Sequence, residues 1–141
     1  MDDILARLYD KDTSEGFKAL TEAERFSDET GALYQYSRVF AEMVKSEKYV
    51  LRVRGFRLLC KQARWDTDRS LDESLEDSLC ILNDEKPTAV RQALAALREV
   101  ILYKPELRET VLRAANGIDI MRYKDSMQGL LAADIKRLSE L

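Results

Sequence analysis

The chain has 141 residues and a net charge of −3; 45% of its residues are hydrophobic and 35% are charged. This length suits one domain, residues 1–141, that buries about two-thirds of its unfolded surface, and the nearly balanced charge excludes a global attraction to nucleic acid or to an anionic membrane. Five glycines and two prolines are too few for the turns of an all-β fold, and no apolar run approaches the roughly 18 residues of a membrane-spanning helix.

The N-terminal segment predicts two helices. MDDILARLYD has early acids and no cleavable apolar core, which argues against a secretory signal and favours a cytoplasmic protein. A short helix is expected over residues 2–9, and Asp12-Thr13-Ser14-Glu15 is an N-cap pattern that begins a second helix ending near Phe26. The inward positions of these helices are Ile4, Leu5, Leu8, Phe17, Leu20 and Ala23.

The middle of the chain carries a strongly basic helix. After a helix from about Ala32 to Lys45 and a short polar break, the stretch from Tyr49 to Trp65 reads as a helix at about 100° per residue. Because the connection is short, the two helices are expected to be antiparallel neighbours. One side of the second helix carries Val53, Phe56, Leu59, Cys60 and Ala63, and the other carries Arg54, Arg57, Lys61 and Arg64.

The second half of the chain predicts four more helices. A helix over about residues 69–82 has an acidic outer face, and Pro87 is placed to begin the following helix rather than to break it. Pro105 begins a further helix, and the last helix is expected over about residues 126–138. The inner face of that last helix includes Asp134, which is out of place among apolar residues unless it lies at the solvent end.

An internal repeat links the basic helix to the helix that begins near residue 87. Arg54 aligns with Arg91 at an offset of 37 residues, and at the same offset apolar positions meet apolar positions. The basic pattern carries over in part, with Lys61 aligned to Arg98. Similar amphipathic helices at such a spacing indicate stacked helical hairpins, in which each hairpin shields the apolar side of its neighbours.

The repeat also carries a family resemblance. Residues 86–97, KPTAVRQALAAL, place a proline turn before Val-Arg and then Ala and Leu at core spacing. This pattern resembles the second helix of the HEAT-repeat family and its armadillo-like relatives, and VRGF at residues 53–56 is a poorer copy. The resemblance is good over about residues 49–116 and weaker at both ends. It implies an all-α, right-handed α-α superhelix of about four helical hairpins with the second helices on the inner side, and it implies no particular ligand.

The basic sides of the two aligned helices form the candidate partner-binding surface, whose members are Arg54, Arg57, Lys61, Arg64, Arg91 and Arg98. One hypothesis is a scaffold or adaptor whose basic inner face binds an acidic peptide or an acidic protein surface through arginine forks. The alternative is binding of a nucleic-acid backbone by the same face. A third interpretation is that these cations pair with acids of adjacent helices, for which the candidates are Glu42, Asp66, Asp72 and Glu99.

Chemistry other than binding has little support in the sequence. The chain has no histidine, no Gly-rich phosphate loop and no nucleophile elbow, so no enzymatic activity, catalytic residue or cofactor is expected. Cys60 and Cys80 are expected to be reduced core thiols rather than metal ligands. Trp65 is expected to cover a junction between repeats, and Tyr123 either extends the binding groove or packs against the final helix.

Overall fold

The computed structural model describes residues 2–141, and the regular secondary structure of this part of the chain is entirely helical, which confirms the all-α prediction. Eight α-helices follow one another: α1 (Asp2–Arg7), α2 (Thr13–Glu29), α3 (Ser37–Met43), α4 (Tyr49–Lys61), α5 (Asp72–Ser78), α6 (Pro87–Tyr103), α7 (Arg108–Asn116) and α8 (Asp125–Ser139). Short 3-10 turns join or extend them: Tyr34–Tyr36, Gln62–Trp65, Leu79–Asn83, Pro105–Leu107 and Ile120–Arg122. Between residues 2 and 141, no helix combines the length and the apolar character needed to cross a lipid bilayer.

Two helix starts follow from local chemistry. Asp12 is the N-cap of α2, and its carboxylate accepts hydrogen bonds from the N–H groups of Ser14 (2.9 Å) and Glu15 (3.3 Å). Pro87 is the first residue of α6, where its missing N–H has no helical acceptor to lose. The prediction is confirmed at both positions, because a helix start depends on residues within one turn.

Two helices are shorter than the apolar pattern predicts. The segments 32–45 and 69–82 contain only α3 and α5, and 3-10 turns occupy much of the remainder. Arg69 has a φ of 64°, a left-handed conformation that a right-handed helix does not include. Cys80 lies in the 3-10 turn after α5 and is exposed, so the expectation of two core thiols is correct for Cys60 and wrong for Cys80.

The even-numbered helices form a row. Each of α2, α4, α6 and α8 packs against the next, and these helices begin 36, 38 and 38 residues apart. The odd-numbered helices pack against this row: α1 against α2, α3 against α4, α5 against α3 and α4, and α7 against α6 and α8. Helices that are close in sequence are therefore neighbours in space, as expected for helical hairpins that pack in order.

α4 is the most enclosed helix of the row because it packs against α2, α3, α5 and α6. Its predicted apolar side is confirmed as core: Val53, Phe56, Leu59, Cys60 and Ala63 are all buried. Gly55 permits the close approach of α3, since a Cβ at this position would lie 2.5 Å from both the Phe40 backbone oxygen and the Met43 Cβ.

One predicted core position of α2 is wrong. Phe17 is 53% exposed, whereas Leu20 and Ala23 are buried as expected. The small residue before it, Gly16, is buried instead and lies against the guanidinium of Arg54. The orientation of α2 is therefore set by its contact with α4 and not by its largest apolar side chain.

Candidate partner-binding grooves

The six predicted binding residues do not share one environment, and Arg54 lies apart from the others. Arg54 is only 4% exposed, and its Nη1 donates a hydrogen bond of 2.6 Å to the backbone oxygen of Leu8, just after α1. The expectation that Arg54 belongs to the exposed basic face is therefore wrong. The reason is that α4 has neighbours on several sides, whereas the sequence pattern divided the helix into only one core side and one solvent side.

Arg57 lies on the outer side of α4 but is bridged to the helices on both sides. Its Nε and Nη2 donate to the two carboxylate oxygens of Glu24 on α2 at 2.9 and 2.7 Å, and its Nη1 donates to Oε1 of Gln92 on α6 at 2.9 Å. The pair is shielded, since the Arg57 and Glu24 side chains are 22% and 17% exposed. The guanidinium carbon also lies 6.0 Å from the centroid of the exposed Phe17 ring.

Lys61, one helical turn further along α4, repeats this arrangement. Its Nζ donates to Asp28 of α2 at 2.8 Å and to Glu99 of α6 at 3.0 Å. Burial alone lowers the pKa of Lys61, but the two carboxylates outweigh burial and raise the pKa above its usual value. Arg64 donates to the backbone oxygen of Asp28 at 2.6 Å and lies 4.6 Å from the centroid of the Tyr103 ring.

The outer side of α4 is thus internally paired, as the third interpretation proposes. Of the four acids suggested from the sequence, Glu99 is the one that pairs with these cations in the described chain. The partners that the sequence reading missed are Glu24 and Asp28. A signal for them exists, because these two acids are four residues apart on α2, as Arg57 and Lys61 are on α4.

A groove of about 470 Å³ lies between α6 and α8, and it has a different charge balance. Arg91 donates from Nε to Oδ2 of Asp134 at 2.7 Å and from Nη2 to Oδ1 at 3.3 Å. Arg137 also donates to Asp134. Arg98 lines the same groove, is exposed, and has no ion-pair partner within residues 2–141. We refer to this site as the α6–α8 groove.

Arg91 and Arg137 therefore share one carboxylate, and Arg98 adds a third positive charge to the α6–α8 groove. The rest of its lining is mainly apolar: Leu94, Ala95, Leu138 and Leu141. Arg98 also lines the neighbouring groove of about 450 Å³ formed by α2, α4 and α6, so it lies between the two grooves.

Arg137 was not predicted from the sequence, because the repeat that revealed the other arginines ends before α8. The misplaced Asp134 was the available signal, and it is explained here as the partner of Arg91.

Lys104, directly after α6, forms a buried cluster that the sequence did not indicate. Its side chain is 1% exposed, and its Nζ lies 2.6 Å from Oδ2 of Asp66 and 2.8 Å from Oδ1 of Asp72. Asp66 also accepts a hydrogen bond of 2.6 Å from the Tyr34 hydroxyl, and burial together with this carboxylate raises the pKa of Tyr34 to about 12. Burial alone lowers the pKa of Lys104, but the two carboxylates raise it above its usual value. This Lys104 cluster joins the segments around α3, α4, α5 and α6 and has a structural role.

The two aromatic side chains singled out from the sequence also pack within the protein. Trp65 donates from Nε1 to the backbone oxygen of Ser27 at 2.7 Å, and its ring lies against Gly31, where a Cβ would come within 3.1 Å. It joins the ends of α2 and α4, in agreement with the interpretation that it covers a junction. Tyr123 is 7% exposed and donates to the backbone oxygen of Asp84 at 2.5 Å, so it packs within the protein, with its hydroxyl on the segment before α6, and does not line an exposed groove.

Within residues 2–141, no group of three or more His, Cys, Asp or Glu side chains is arranged to hold a metal ion. Comparisons with protein-family models, with curated proteins and with solved structures found no match to this chain. The function is therefore inferred from the contacts and charges of the residues themselves.

Proposed function

We propose that this chain is a non-enzymatic interaction module whose α6–α8 groove binds an acidic peptide or an acidic protein surface. The observation that carries the proposal is the charge imbalance of the groove, which is lined by Arg91, Arg98 and Arg137 but by one acidic side chain, Asp134. A carboxylate of the partner supplies the negative charge that the groove lacks. The apolar lining receives an apolar side chain next to that carboxylate.

Arg98 makes the first contact in this proposal. Its side chain is exposed and has no ion pair in the described chain, so its planar fork of N–H donors is free for a carboxylate. Arg91 and Arg137 already share Asp134, so a partner carboxylate that pairs with Arg98 adds to these ion pairs and does not replace them. Binding therefore adds charge-assisted hydrogen bonds without breaking an existing ion pair.

The row of even-numbered helices supports a HEAT-like stack as the framework of this module. These helices begin at nearly constant intervals of 36 to 38 residues, and each packs against the next. A right-handed superhelix of about four hairpins accounts for both facts, with α6 and α8 as the second helices of adjacent hairpins. The α6–α8 groove then lies on the side of the stack that the second helices line.

Nucleic-acid binding, the alternative, has less support from the charges. A phosphate backbone requires a row of free cations, but Arg57 and Lys61 on the outer side of α4 already pair with Glu24, Asp28 and Glu99. These carboxylates repel phosphates along the α2–α4–α6 side. The positive charge that remains on the α6–α8 side is limited to one groove, which suits a short acidic segment better than an extended strand.

Fluorescence anisotropy with a labelled peptide of alternating Glu and Leu tests the proposal, with a Lys-Leu peptide as the charge-reversed probe. We expect the wild-type protein to bind the acidic peptide and Arg98→Glu to bind it at least about tenfold more weakly, because an attraction becomes a repulsion. Arg98 is exposed and has no ion pair, so this substitution leaves the fold intact, which circular dichroism verifies.

Arg113→Glu is the matched control, since it makes the same change of net charge on α7, at a side chain that is 72% exposed. An equal loss of affinity in the two variants means that the peptide senses only net charge, and the groove is then not the site. Preference for single-stranded DNA over the acidic peptide, with affinity falling steeply between about 50 and 200 mM salt, supports the nucleic-acid alternative instead.

A further inference from the structure

The cavity beside Arg54 is separate from the α6–α8 groove and from the paired side of α4. It has a volume of about 370 Å³ and lies between the α1–α2 connection and the first turn of α4. Its walls include Tyr9, Tyr49, Val50 and Arg54. Two of the binding residues predicted together, Arg54 and Arg98, are therefore found at different sites.

Arg54 is a buried cation, and among the side chains that the structure describes no carboxylate pairs with it. It is only 4% exposed, and within residues 2–141 its guanidinium makes one hydrogen bond, to the neutral backbone oxygen of Leu8. By contrast Arg57, three positions along the same helix, holds both carboxylate oxygens of Glu24. Burial lowers the pKa of Arg54 from its usual value, and the more distant Asp10 opposes this effect. Because a buried charge is costly unless it is paired, Arg54 has a physical reason to bind an anion.

The buried position of Arg54 depends on a space that Gly16 leaves. A Cβ at Gly16 would lie 2.3 to 2.4 Å from the guanidinium atoms of Arg54, closer than any side chain can approach. The guanidinium therefore rests on the backbone of α2, and its place at the cavity is determined by packing.

The first turn of α4 makes a second and independent contribution. No side chain caps this helix of 13 residues, and no acidic residue lies in its first turn. The first hydrogen bonds to Lys48 O come from the N–H groups of Leu51 and Arg52, so the N–H groups of Tyr49 and Val50 have no helical acceptor. Tyr49 and Val50 line the cavity, and the positive end of the helix dipole favours an anion there.

The other charges around the cavity leave a small positive surplus. Lys11 and Lys48 line it together with Arg54, and the opposing carboxylates are those of Asp10 and Glu47. The carboxylate of Asp10 already has a hydrogen-bond partner, because its Oδ1 accepts a bond of 2.9 Å from the backbone N–H of Asp12. Three cations against two carboxylates suit a ligand with one or two negative charges.

We propose that this cavity binds a small organic oxyanion, a carboxylate or a phosphate monoester, that carries a flat apolar body. Its charged group pairs with Arg54 and with the N–H groups of Tyr49 and Val50. Its body lies against the rings of Tyr9 and Tyr49, which are 49% and 38% exposed. The site does not include any residue of the α6–α8 groove, so a test of anion binding here is independent of a test of the proposed function.

An NMR titration tests the site on the whole chain, with benzoate and phenyl phosphate as probes and benzyl alcohol as their uncharged counterpart. We expect saturable shifts of the Tyr49 and Val50 amide signals with at least one of the two anions and none with benzyl alcohol. The anion that binds more tightly identifies the ligand as a carboxylate or a phosphate. Equal shifts with benzyl alcohol, or shifts with neither anion, overturn the proposal.

A pair of substitutions at Tyr49 separates the contribution of the N–H group from that of the ring. Tyr49→Ala removes the ring, whereas Tyr49→Pro removes both the ring and the N–H. Proline fits here because Lys48 has φ −90° and ψ 120°, nearly the φ −91° and ψ 112° of Lys86 before Pro87. We expect Tyr49→Pro to bind the preferred anion about tenfold more weakly than Tyr49→Ala.

Arg54→Met removes the charge but keeps most of the apolar stem, and we expect it to weaken anion binding by at least about tenfold. Arg113→Met, at a side chain of α7 that is 72% exposed and lines neither site, is expected to bind the anion as the wild type does. If Arg54→Met does not fold, the comparison of the two Tyr49 variants decides the question alone. Equal affinities in Tyr49→Ala and Tyr49→Pro contradict the proposed role of the helix start.

Discussion

The two sides of α6 are built from the same kinds of charged residue but differ in balance. On the side towards α4, Glu99 forms an ion pair with Lys61. Lys104, at the end of α6, forms an ion pair with Asp66, so both of these lysines have a carboxylate partner. Towards α8, Arg91 and Arg137 share Asp134, and Arg98 has no ion pair within the described residues. The charges on the α4 side neutralise one another within the protein, whereas the α8 side has positive charge available to a partner.

This difference means that a helix does not set the charge of its own surface. α4 is the more basic helix in the sequence, yet its outer side is neutralised by acids that α2 and α6 supply. α6 carries both signs of charge, yet its side towards α8 is basic because α8 contributes Arg137 as well as Asp134. The local potential depends on the neighbours of a helix as much as on its sequence.

The largest effect is expected from removing the buried cation on the α4 side. Lys104→Met leaves the carboxylates of Asp66 and Asp72 buried without their ammonium partner, which should lower the free energy of unfolding by about 3–5 kcal/mol. Urea denaturation measures this loss. Arg98→Met, on the α8 side, should change it by less than about 0.5 kcal/mol. Similar losses in the two variants would contradict the distinction between the two sides.

A somewhat smaller effect is expected from alkaline pH, which acts on the same buried cluster. The folded protein raises the pKa of Tyr34, to about 12, and that of Lys104, so it binds these protons more tightly than the unfolded chain does. Their contribution is therefore complete below about pH 10 and is lost as the pH rises through the folded values. The free energy of unfolding, measured with urea, should fall between about pH 10 and 12, by up to about 1.4 kcal/mol per pH unit for each group.

The control for this pH dependence is the double variant Tyr34→Phe/Lys104→Met, which lacks both titrating groups. Its unfolding midpoint should start lower and vary less over the same pH range. A slope as steep as that of the wild type would place the titrating groups elsewhere in the molecule.

Double-mutant cycles compare single ion pairs on the two sides. The Arg57–Glu24 pair is bidentate and largely shielded, so we expect a coupling energy of about 1 kcal/mol. The Arg91–Asp134 pair involves an arginine that is 35% exposed, and its coupling should be about 0.5 kcal/mol because solvent screens it more. Neutral Gln, Asn and Met substitutions, measured by denaturation at low and high salt, provide the cycles. A stronger coupling on the α8 side reverses the predicted order.

The smallest effect is expected at a pair that belongs to neither side of α6. Arg113 and Glu109 on α7 are 72% and 86% exposed, so Arg113→Ala should change the free energy of unfolding by less than about 0.5 kcal/mol. This variant sets the baseline against which the pairs of α6 are judged. A loss of more than about 1 kcal/mol would mean that exposure is a poor guide to the strength of ion pairs in this protein.

Much of the fold could be predicted from the sequence. The predictions were most accurate for features that depend on residues within one helical turn. The starts of α2 and α6 were predicted at Asp12 and Pro87, because capping and the fixed φ of proline act within one turn. The core side of α4 was predicted from its spacing alone. Phe17 and Cys80 were placed wrongly, because the rotation of a helix and the tightening of a turn depend on segments packed against them.

The candidate sites were predicted less well, for a related reason. The sequence identified the basic residues but not which of them remain available. Arg54 is buried on Gly16, a residue 38 positions earlier, and Arg57 is occupied by Glu24, 33 positions earlier. Arg98 and Arg91 were found through the repeat, whereas no repeat pointed to Arg137.

The sequence by itself determined that this protein is helical, where most of its helices begin, and which side of α4 is apolar, because these properties depend on residues a few positions apart. The tertiary structure decided which cations are buried, which are paired and which stay free, and so it separated the α6–α8 groove from the cavity beside Arg54. A charge is neutralised by whatever lies within a few ångströms of it, and in stacked helices those groups come from segments more than thirty residues away.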